Sequence, residues 1–481
     1  MERRQASATG AALLAPLLAV ALVAVSIGLS LSYWPGVMTW DTVRQYGQAL
    51  SGRFDDWHPP LMEWFWRKLL PLGSGPAPML LLQLGVYAAG WGLLAGWAVK
   101  ARRPVLAVAL AAASLAPIFV ALMATVVKDS LMAALLLPAV GLLALRREGR
   151  DWPMRVLAVA LIVLACGLRF NAFPAAAPLV VALLPERLRR TPLRLAAAGL
   201  AAMALLAPAT PVANHLLKAA RSGVEVALVN YDLGGVTEYG GKSVFPPLPD
   251  VDDPVAENHR CYDRSRWDTY ADWSGVDCAV GFEALTAAFK AQGIKPTRYW
   301  LQAVLGHPLA YAEHRLGHFN VNVRFLVKAD FDRQPPADSN RPVHDQSVEN
   351  PWGYRTTPNP VLNTVDALAL FQAQTPLGWP IFWMALAGGI VTLASRLPSR
   401  HLVLPLALSS LLYGLGYGVA SVSSELRYHL WTMMAALLAA IVTAADLAGE
   451  GLGFTRKDYV IAALPPAVIV VICTAWRLWP G

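Results

Sequence analysis

The chain has 481 residues, of which 56% are hydrophobic and only 15% are charged. Soluble domains carry about 25% charged residues, so this composition and a mean hydropathy of +0.43 indicate a polytopic membrane protein. The formal net charge of +8 comes mostly from basic residues between apolar runs. That distribution indicates membrane orientation and argues against nucleic-acid binding.

The apolar runs predict an all-α membrane protein, because backbone amides in lipid must be satisfied within their own segment and a span needs about 20 residues. The first run is long for a signal peptide and has no A-x-A cleavage site before SYWPG, which favours a retained anchor. Runs 156–168 and 172–185 are short and form either tilted spans or one re-entrant pair. About eleven transmembrane helices are predicted, near 11–32, 78–99, 104–127, 130–146, 156–168, 172–185, 195–217, 378–395, 402–422, 430–447 and 459–476.

Basic residues fall on one side of these runs, and the positive-inside rule makes that side cytoplasmic. They are Arg3, Arg4, Lys100, Arg102, Arg103, Arg146, Arg147, Arg150, Arg155, Arg187, Arg189, Arg190, Arg194, Arg396, Arg400, Arg456 and Lys457. We expect a protein of the cytoplasmic membrane whose other side faces the periplasm or exterior. Three regions are predicted: a membrane module, 1–217, with outer loop 33–77; an outer domain of mixed structure, 218–377; and membrane helices, 378–481.

The outer domain contains Cys261 and Cys278, whereas Cys166 and Cys473 lie in membrane spans. Two cysteines in an oxidising compartment favour a disulfide, worth about 3 kcal/mol in the chain-entropy model. Two free thiols are the alternative.

Residues 295–319 have helical apolar spacing, which predicts a juxtamembrane helix. Its membrane face would carry Trp300, Val304, Ala310 and Tyr311, with His314 and Arg315 turned outward. His314 and His318 have metal-ligand spacing, but no acid stands between them in the zinc-protease pattern, so a solvated helix face is favoured.

The stretch WDTVRQYGQALSGRFDDWHPPLMEW, residues 40–64, follows the first apolar run directly. Trp40 and Trp57 fit interfacial anchors, and Pro59–Pro60 fits a helix start. Neither explains Asp41, which is placed to act as a general base at the membrane surface. Partial desolvation is expected to raise its pKa. Asp55 and Asp56 are interpreted as a solvated turn.

The order Asp41, Tyr46, Ala49–Leu50, Gly52, His58–Pro59–Pro60–Leu61, Trp64 resembles the first outer loop of GT-C superfamily glycosyltransferases. The most similar branch contains the aminoarabinose transferase of lipid A and the protein O-mannosyltransferases. Further pieces are VVKDS (126–130), LRFNAFP (168–174) and SSELRYH (423–429). Related enzymes commonly have two adjacent acids where this chain has Asp41–Thr42.

The resemblance implies a GT-C bundle that moves a sugar from a polyprenyl-phosphate carrier to an envelope glycolipid, polysaccharide or protein acceptor. Asp41 would be the base, and the donor phosphate would meet Lys128, Arg169, Arg427 and His58. Substrate contacts are predicted for Asn171, Tyr46, Glu425, Tyr428 and His429. No cofactor is expected; a divalent metal is possible but not favoured, because acids are sparse near Asp41.

Each predicted cation has a structural alternative. Lys128 could pair with Asp129, Arg169 could snorkel to the interface, and Arg427 could pair with Glu425. The competing functions are a transporter or flippase of a lipid-linked glycan, and an oligosaccharide ligase or polymerase. Charges at helix ends rather than at mid-membrane favour an enzyme over a transporter.

Overall fold

A computed structural model describes residues 2–146, 151–329, 331, 348–449 and 451–479. Within these ranges the chain forms α-helices and short 3₁₀ turns, and its only β-pairings are isolated bridges. The prediction of a helical protein is therefore confirmed. Arg147 and Arg150, which entered the orientation prediction, lie outside the described residues.

Eleven helices precede the outer domain, and most begin at a proline or at a residue that caps the first turn. They are α1 (Glu2–Leu31), α2 (Trp40–Ser51), α3 (Leu61–Leu69), α4 (Ala77–Lys100), α5 (Pro104–Ala113), α6 (Pro117–Ala124), α7 (Lys128–Ala144), α8 (Trp152–Leu168), α9 (Phe173–Leu183), α10 (Pro192–Leu206) and α11 (Ala209–Leu216).

Ten helices follow, five in the outer domain and five after it. The first five are α12 (Glu225–Gly240), α13 (Pro254–Cys261), α14 (Phe282–Ala291), α15 (Pro296–Gly306) and α16 (Pro308–Asn322). The others are α17 (Pro360–Ala373), α18 (Pro380–Ala394), α19 (Arg400–Gly416), α20 (Leu430–Leu447) and α21 (Arg456–Leu478).

The predicted number of eleven membrane spans is not confirmed. In the described part of the chain, five segments are long and apolar enough to cross a membrane: Leu14–Leu31, Ala77–Lys100, Pro192–Leu216, Leu426–Leu447 and Arg456–Leu478. Helices α5 and α6, bent by 52° at their junction, form a sixth candidate. Helices α8, α9 and α18 are apolar but too short for a straight crossing, which needs about 20 residues.

Several described basic residues that were predicted on the cytoplasmic side form ion pairs between the ends of different helices. Arg103 contacts Asp446 at 2.8 Å, Arg400 contacts Glu186 at 3.4 Å, and Arg396 contacts Asp458 at 2.6 Å. The opposite end of the bundle is called the outer end below. It carries the start of α2, the start of α7, the end of α8 and the turn before α20.

The outer domain packs α13, α14, α15 and α16 around the buried helix α12. Its described residues form helices joined by loops and isolated β-bridges, so β-strands are not found in the part of the predicted mixed domain that the structure describes. Cys261 and Cys278 form a disulfide, which confirms that prediction. Helix α17, which falls within the predicted outer domain of residues 218–377, packs against α6 and α1 of the bundle.

The predicted juxtamembrane helix is two helices, because His307–Pro308 separates α15 from α16. The orientation predicted for its polar residues is wrong. His314, Arg315 and His318 are buried, because His314 and Arg315 contact the buried carboxylate of Asp232 at 3.1 and 2.5 Å. The exposed apolar residues of these helices are Leu301, Leu305, Leu309 and Leu316.

The two ends of the bundle should differ in access to a membrane-impermeant thiol reagent. Asp250 lies exposed in the outer domain and Arg190 lies exposed at the other end. We expect Asp250→Cys to be labelled on intact cells and Arg190→Cys to be labelled only after permeabilisation. The reverse pattern would contradict the predicted orientation.

Candidate functional site

Local backbone pairing brings Asp41 to the start of α7. Val37 N–H donates to the carbonyl of Ala124, and Val126 N–H donates to the carbonyl of Val37, both at 3.1 Å. Thr39 caps α2 through a reciprocal pair of bonds with Thr42. The Thr42 hydroxyl also donates to the carbonyl of Val126 at 2.9 Å. Thr42 therefore anchors the helix that carries Asp41.

Asp41 accepts from two cations that come from distant parts of the chain. Its Oδ2 atom lies 3.2 Å from Lys128 Nζ and 2.9 Å from Arg427 Nη2. His58 Nε2 lies 3.5 Å from Asp41 Oδ1. The structure thus brings together Asp41, His58, Lys128 and Arg427, as predicted. These four residues and Glu425 are called the Asp41 cluster.

His58 bridges Lys128 and Asp41. Its Nδ1 atom lies 2.8 Å from Lys128 Nζ, and an ammonium group can only donate, so Nδ1 accepts. The ring proton is therefore assigned to Nε2, which faces Asp41. Burial, reinforced by the charge of Lys128, lowers the pKa of His58 to about 3. His58 is neutral at physiological pH.

The expectation that desolvation raises the pKa of Asp41 is wrong for this state. Burial does act in that direction, but the charges of Lys128 and Arg427 outweigh it and hold the pKa well below its usual range. A quarter of the Asp41 side chain remains exposed. The carboxylate is therefore ionised, reachable and already neutralised by two cations.

Arg427 stands between two carboxylates in the turn Leu426–His429 that precedes α20. Its Nε atom donates to Glu425 and its Nη2 atom donates to Asp41. Burial raises the pKa of Glu425 to about 7, against the lowering effect of Arg427. The remaining guanidinium nitrogen of Arg427, Nη1, is buried and has no hydrogen-bond partner among the described residues. Arg427 therefore has donor capacity left for a further acceptor.

Arg169 is bound to Asp129 and lies beside the cluster rather than in it. The ion pair measures 2.5 Å, and both side chains are largely buried. The guanidinium also lies 4.5 Å from the ring centre of Tyr428 and 3.3 Å from Asn171 Oδ1. The alternatives that paired Lys128 with Asp129 and left Arg169 snorkelling are both wrong. Tyr428 donates to Glu425 at 3.1 Å, so Arg169 touches the cluster through the tyrosine ring.

Two predicted substrate contacts lie elsewhere. Tyr46 is buried against Trp66, Trp352 and Tyr354, and its hydroxyl accepts from Gly75 N–H at 2.8 Å. His429 is buried and lies 2.6 Å from Asn322 Oδ1. Both positions are those of packing residues.

The turn before His58 is less solvated than predicted. Asp55 pairs with Arg44 at 2.5 Å, and Asp56 accepts from the N–H and the hydroxyl of Ser222, each at 2.7 Å. Trp40 is exposed, as an interfacial anchor would be. Trp57 instead packs against Trp267 of the outer domain, so the first outer loop is fastened to that domain.

The described residues contain no group of three or more His, Cys, Asp or Glu side chains arranged to hold a metal ion. The acids of the Asp41 cluster are each engaged by Lys128 or Arg427. An arrangement of this kind suits an anionic ligand that competes for the cations.

No protein-family model matches the chain, and no curated protein matches it. Among solved structures, it is similar to the oligosaccharyltransferase of Archaeoglobus fulgidus, a GT-C superfamily glycosyltransferase. One structure of that enzyme, tethered to an acceptor peptide containing the NVT sequon, is 11% identical over 96% of this chain, with a TM-score of 0.36. Another, with an inhibitory peptide and a dolichol-phosphate, is 12% identical over 96%, with a TM-score of 0.33. The chain spans 56% of the length of either structure. Identities and TM-scores this low decide nothing about activity.

Glu63 is a buried acid that sequence reasoning missed. It lies in the first turn of α3, facing the neighbouring buried Gln45 of α2. Both carboxylate oxygens are fully buried, and Gln45 is a polar side chain close enough to act on their charge. Burial raises the pKa of Glu63 to about 8. Its only sequence signal is one acid within the apolar stretch LMEWFW.

Glu63→Gln should stabilise the protein at pH 8 and have a smaller effect near pH 5. The folded state binds more protons than the unfolded state between the ordinary glutamate pKa and about 8, so Glu63 costs stability as pH rises through that window. Glutamine keeps polar atoms at this buried position but cannot ionise, so the substitution removes the cost of a buried charge, which grows with pH. Thermal unfolding in detergent at both pH values measures it, with the exposed Glu313→Gln as control. Equal gains at both pH values would contradict the assignment.

Proposed function

We propose that the protein is a GT-C type glycosyltransferase that moves a sugar from a polyprenyl-phosphate carrier to an acceptor hydroxyl at the outer face of the membrane. The observation that carries this proposal is the carboxylate of Asp41 bound to both Lys128 and Arg427 at the outer end of the bundle. A base and two exchangeable cations at one point match what a phosphate-linked sugar donor needs.

The donor phosphate would compete with Asp41 for the two cations. Lys128 has three donors, and two are directed to Asp41 and His58. Arg427 has the buried Nη1 without a partner among the described residues. Charge-assisted bonds to phosphate are about twice as strong as neutral hydrogen bonds. A phosphate at this position would therefore gain contacts with both cations.

Release of Asp41 by Lys128 and Arg427 would change the pKa of its carboxyl group. Its pKa is low because Lys128 and Arg427 neutralise it, while burial acts in the opposite direction. When the cations turn to phosphate, burial dominates and the carboxylate becomes more basic. Donor binding would thereby prepare Asp41 to accept a proton.

In the proposed reaction, side chains of the Asp41 cluster accept the proton and stabilise the leaving group. The acceptor oxygen forms a bond to the anomeric carbon of the sugar, and its proton passes to Asp41. The bond between that carbon and the phosphate oxygen breaks, and polyprenyl phosphate leaves with the electron pair. Lys128 and Arg427 stabilise the negative charge that develops on the phosphate.

Arg169 would act on this site indirectly. Its charge is balanced by Asp129, so it gives less to a phosphate than Lys128 or Arg427. Its guanidinium supports the Tyr428 ring, which holds Glu425. Glu425, Tyr428 and Asn171 remain predicted contacts of the sugar or acceptor.

Asp41→Asn should lower the rate at saturating donor by about 10² to 10⁴, or roughly 3–5 kcal/mol of barrier, because the amide cannot accept the proton. Lys128→Ala should lower the rate and also raise the donor KM, since it removes a contact with the phosphate of both the bound donor and the leaving group. Sugar transfer from a purified lipid-linked donor measures both effects on comparably folded protein. Lys290→Ala, an exposed cation of the outer domain, is the control.

Transfer by Asp41→Asn within a few-fold of the parent would contradict the base assignment. An unchanged donor KM in Lys128→Ala would contradict the phosphate assignment. Mass spectrometry of the product separates transfer of one sugar from transfer of a whole oligosaccharide.

A further inference from the structure

The Asp41 cluster is assembled from chain segments far apart in sequence. His58 comes from the first outer loop, and Glu425 and Arg427 come from the turn before α20. Neither segment is a long helix, so its position depends on what holds it. The outer domain contacts both.

On the His58 side, the contact is aromatic. The ring of Trp57 lies 5.9 Å from the ring of Trp267 and 5.6 Å from that of Phe282. Backbone bonds support it, since Ala220 N–H donates to the carbonyl of Phe54 and Asp56 N–H donates to the carbonyl of Ala220. His58 follows Trp57 directly, so this packing fixes the position of the His58 backbone, from which the imidazole extends.

On the Arg427 side, the outer domain donates to three successive carbonyls. Arg315 Nη1 donates to Ser421 at 2.5 Å, Trp267 N–H donates to Val422 at 2.8 Å, and Asn322 Nδ2 donates to Ser423 at 3.0 Å. Glu425 and Arg427 follow within four residues. The turn is therefore held from the outer domain immediately before its charged residues.

Trp267 takes part in both contacts, with its ring on one side and its backbone N–H on the other. It lies inside the loop closed by Cys261–Cys278. The same loop is tied to the domain core, because the Arg264 carbonyl accepts from Tyr231 OH at 2.7 Å. Trp267 itself is buried. A single anchored residue thus joins the two segments.

We propose that Trp267 is a positioning residue that sets the separation between His58 and Arg427, and with it the affinity for the phosphate of the donor. The effect on donor binding depends on the function proposed above. The contacts by which Trp267 holds the two segments do not depend on that function. This assigns the outer domain a part in building the Asp41 cluster.

The test compares Trp267→Ala with Phe289→Ala. Phe289 is a buried aromatic residue of the same apolar cluster, but its ring contact is with Tyr299 and not with either segment. Hydrogen–deuterium exchange is measured on peptides covering 54–60 and 419–429. Trp57 and Val422 both pack against the apolar cluster that contains the Trp267 ring. We therefore expect faster exchange in both peptides for Trp267→Ala, which keeps the backbone N–H but loses the ring, and in neither peptide for Phe289→Ala. The same pattern in both variants, or no change in 419–429, would overturn the proposal.

Kinetics provide the second readout. Loss of an aromatic pair predicts a rise of roughly 3- to 10-fold in donor KM for Trp267→Ala, with the rate at saturating donor largely kept. Trp267→Phe retains a ring and should keep the donor KM of the parent protein.

If Trp267→Ala does not fold, Trp57→Leu removes the same contact from the other side and should raise the donor KM alike. An unchanged donor KM in Trp57→Leu overturns the proposal. A parent protein that transfers no sugar would refute the proposed function, while the exchange experiment would still decide the link.

Discussion

The binding of one carboxylate by two cations is the interaction on which the rest of the site depends. Asp41 is engaged by Lys128 and by Arg427, and that engagement fixes His58, keeps the acid ionised and leaves Arg427 between two acids. A charge-balanced group of this kind can stay in place at a membrane surface, where unpaired charges are costly. In the proposed function it would also open when a phosphate arrives. Stability without a ligand and the proposed affinity for a phosphate would then come from the same residues.

Two layers hold this group. The bundle supplies Asp41 and Lys128 through backbone pairing of Val37 with the segment before α7. The outer domain holds the other residues in place, because it contacts the loop before His58 and the turn before Arg427. Because charge-assisted bonds depend on geometry, a domain that looks peripheral in sequence contributes to the electrostatics of the site. The Cys261–Cys278 disulfide closes the loop that contains Trp267, which makes these contacts.

The sequence predicted the meeting of Asp41, Lys128 and Arg427, because hydropathy and basic residues place all three helix ends on one side of the membrane. The sequence could not predict which ion pairs form. Lys128 pairs with Asp41 and not with the adjacent Asp129, which pairs with Arg169. His314 was misjudged because its partner, Asp232, lies 82 residues away and leaves no periodic signal. The span count was not confirmed because hydropathy registers apolar runs, whereas α8 and α9 are too short to cross straight. Glu63 was missed since one acid in an apolar stretch has no motif.

The most direct test of this account is a cryo-electron microscopy structure of the full chain with bound polyprenyl phosphate. The account predicts the phosphate within hydrogen-bond distance of Lys128 Nζ and the Arg427 guanidinium, with both ion pairs to Asp41 broken and its carboxylate facing the open site. A phosphate bound elsewhere, with Asp41 still paired to both cations, would contradict it.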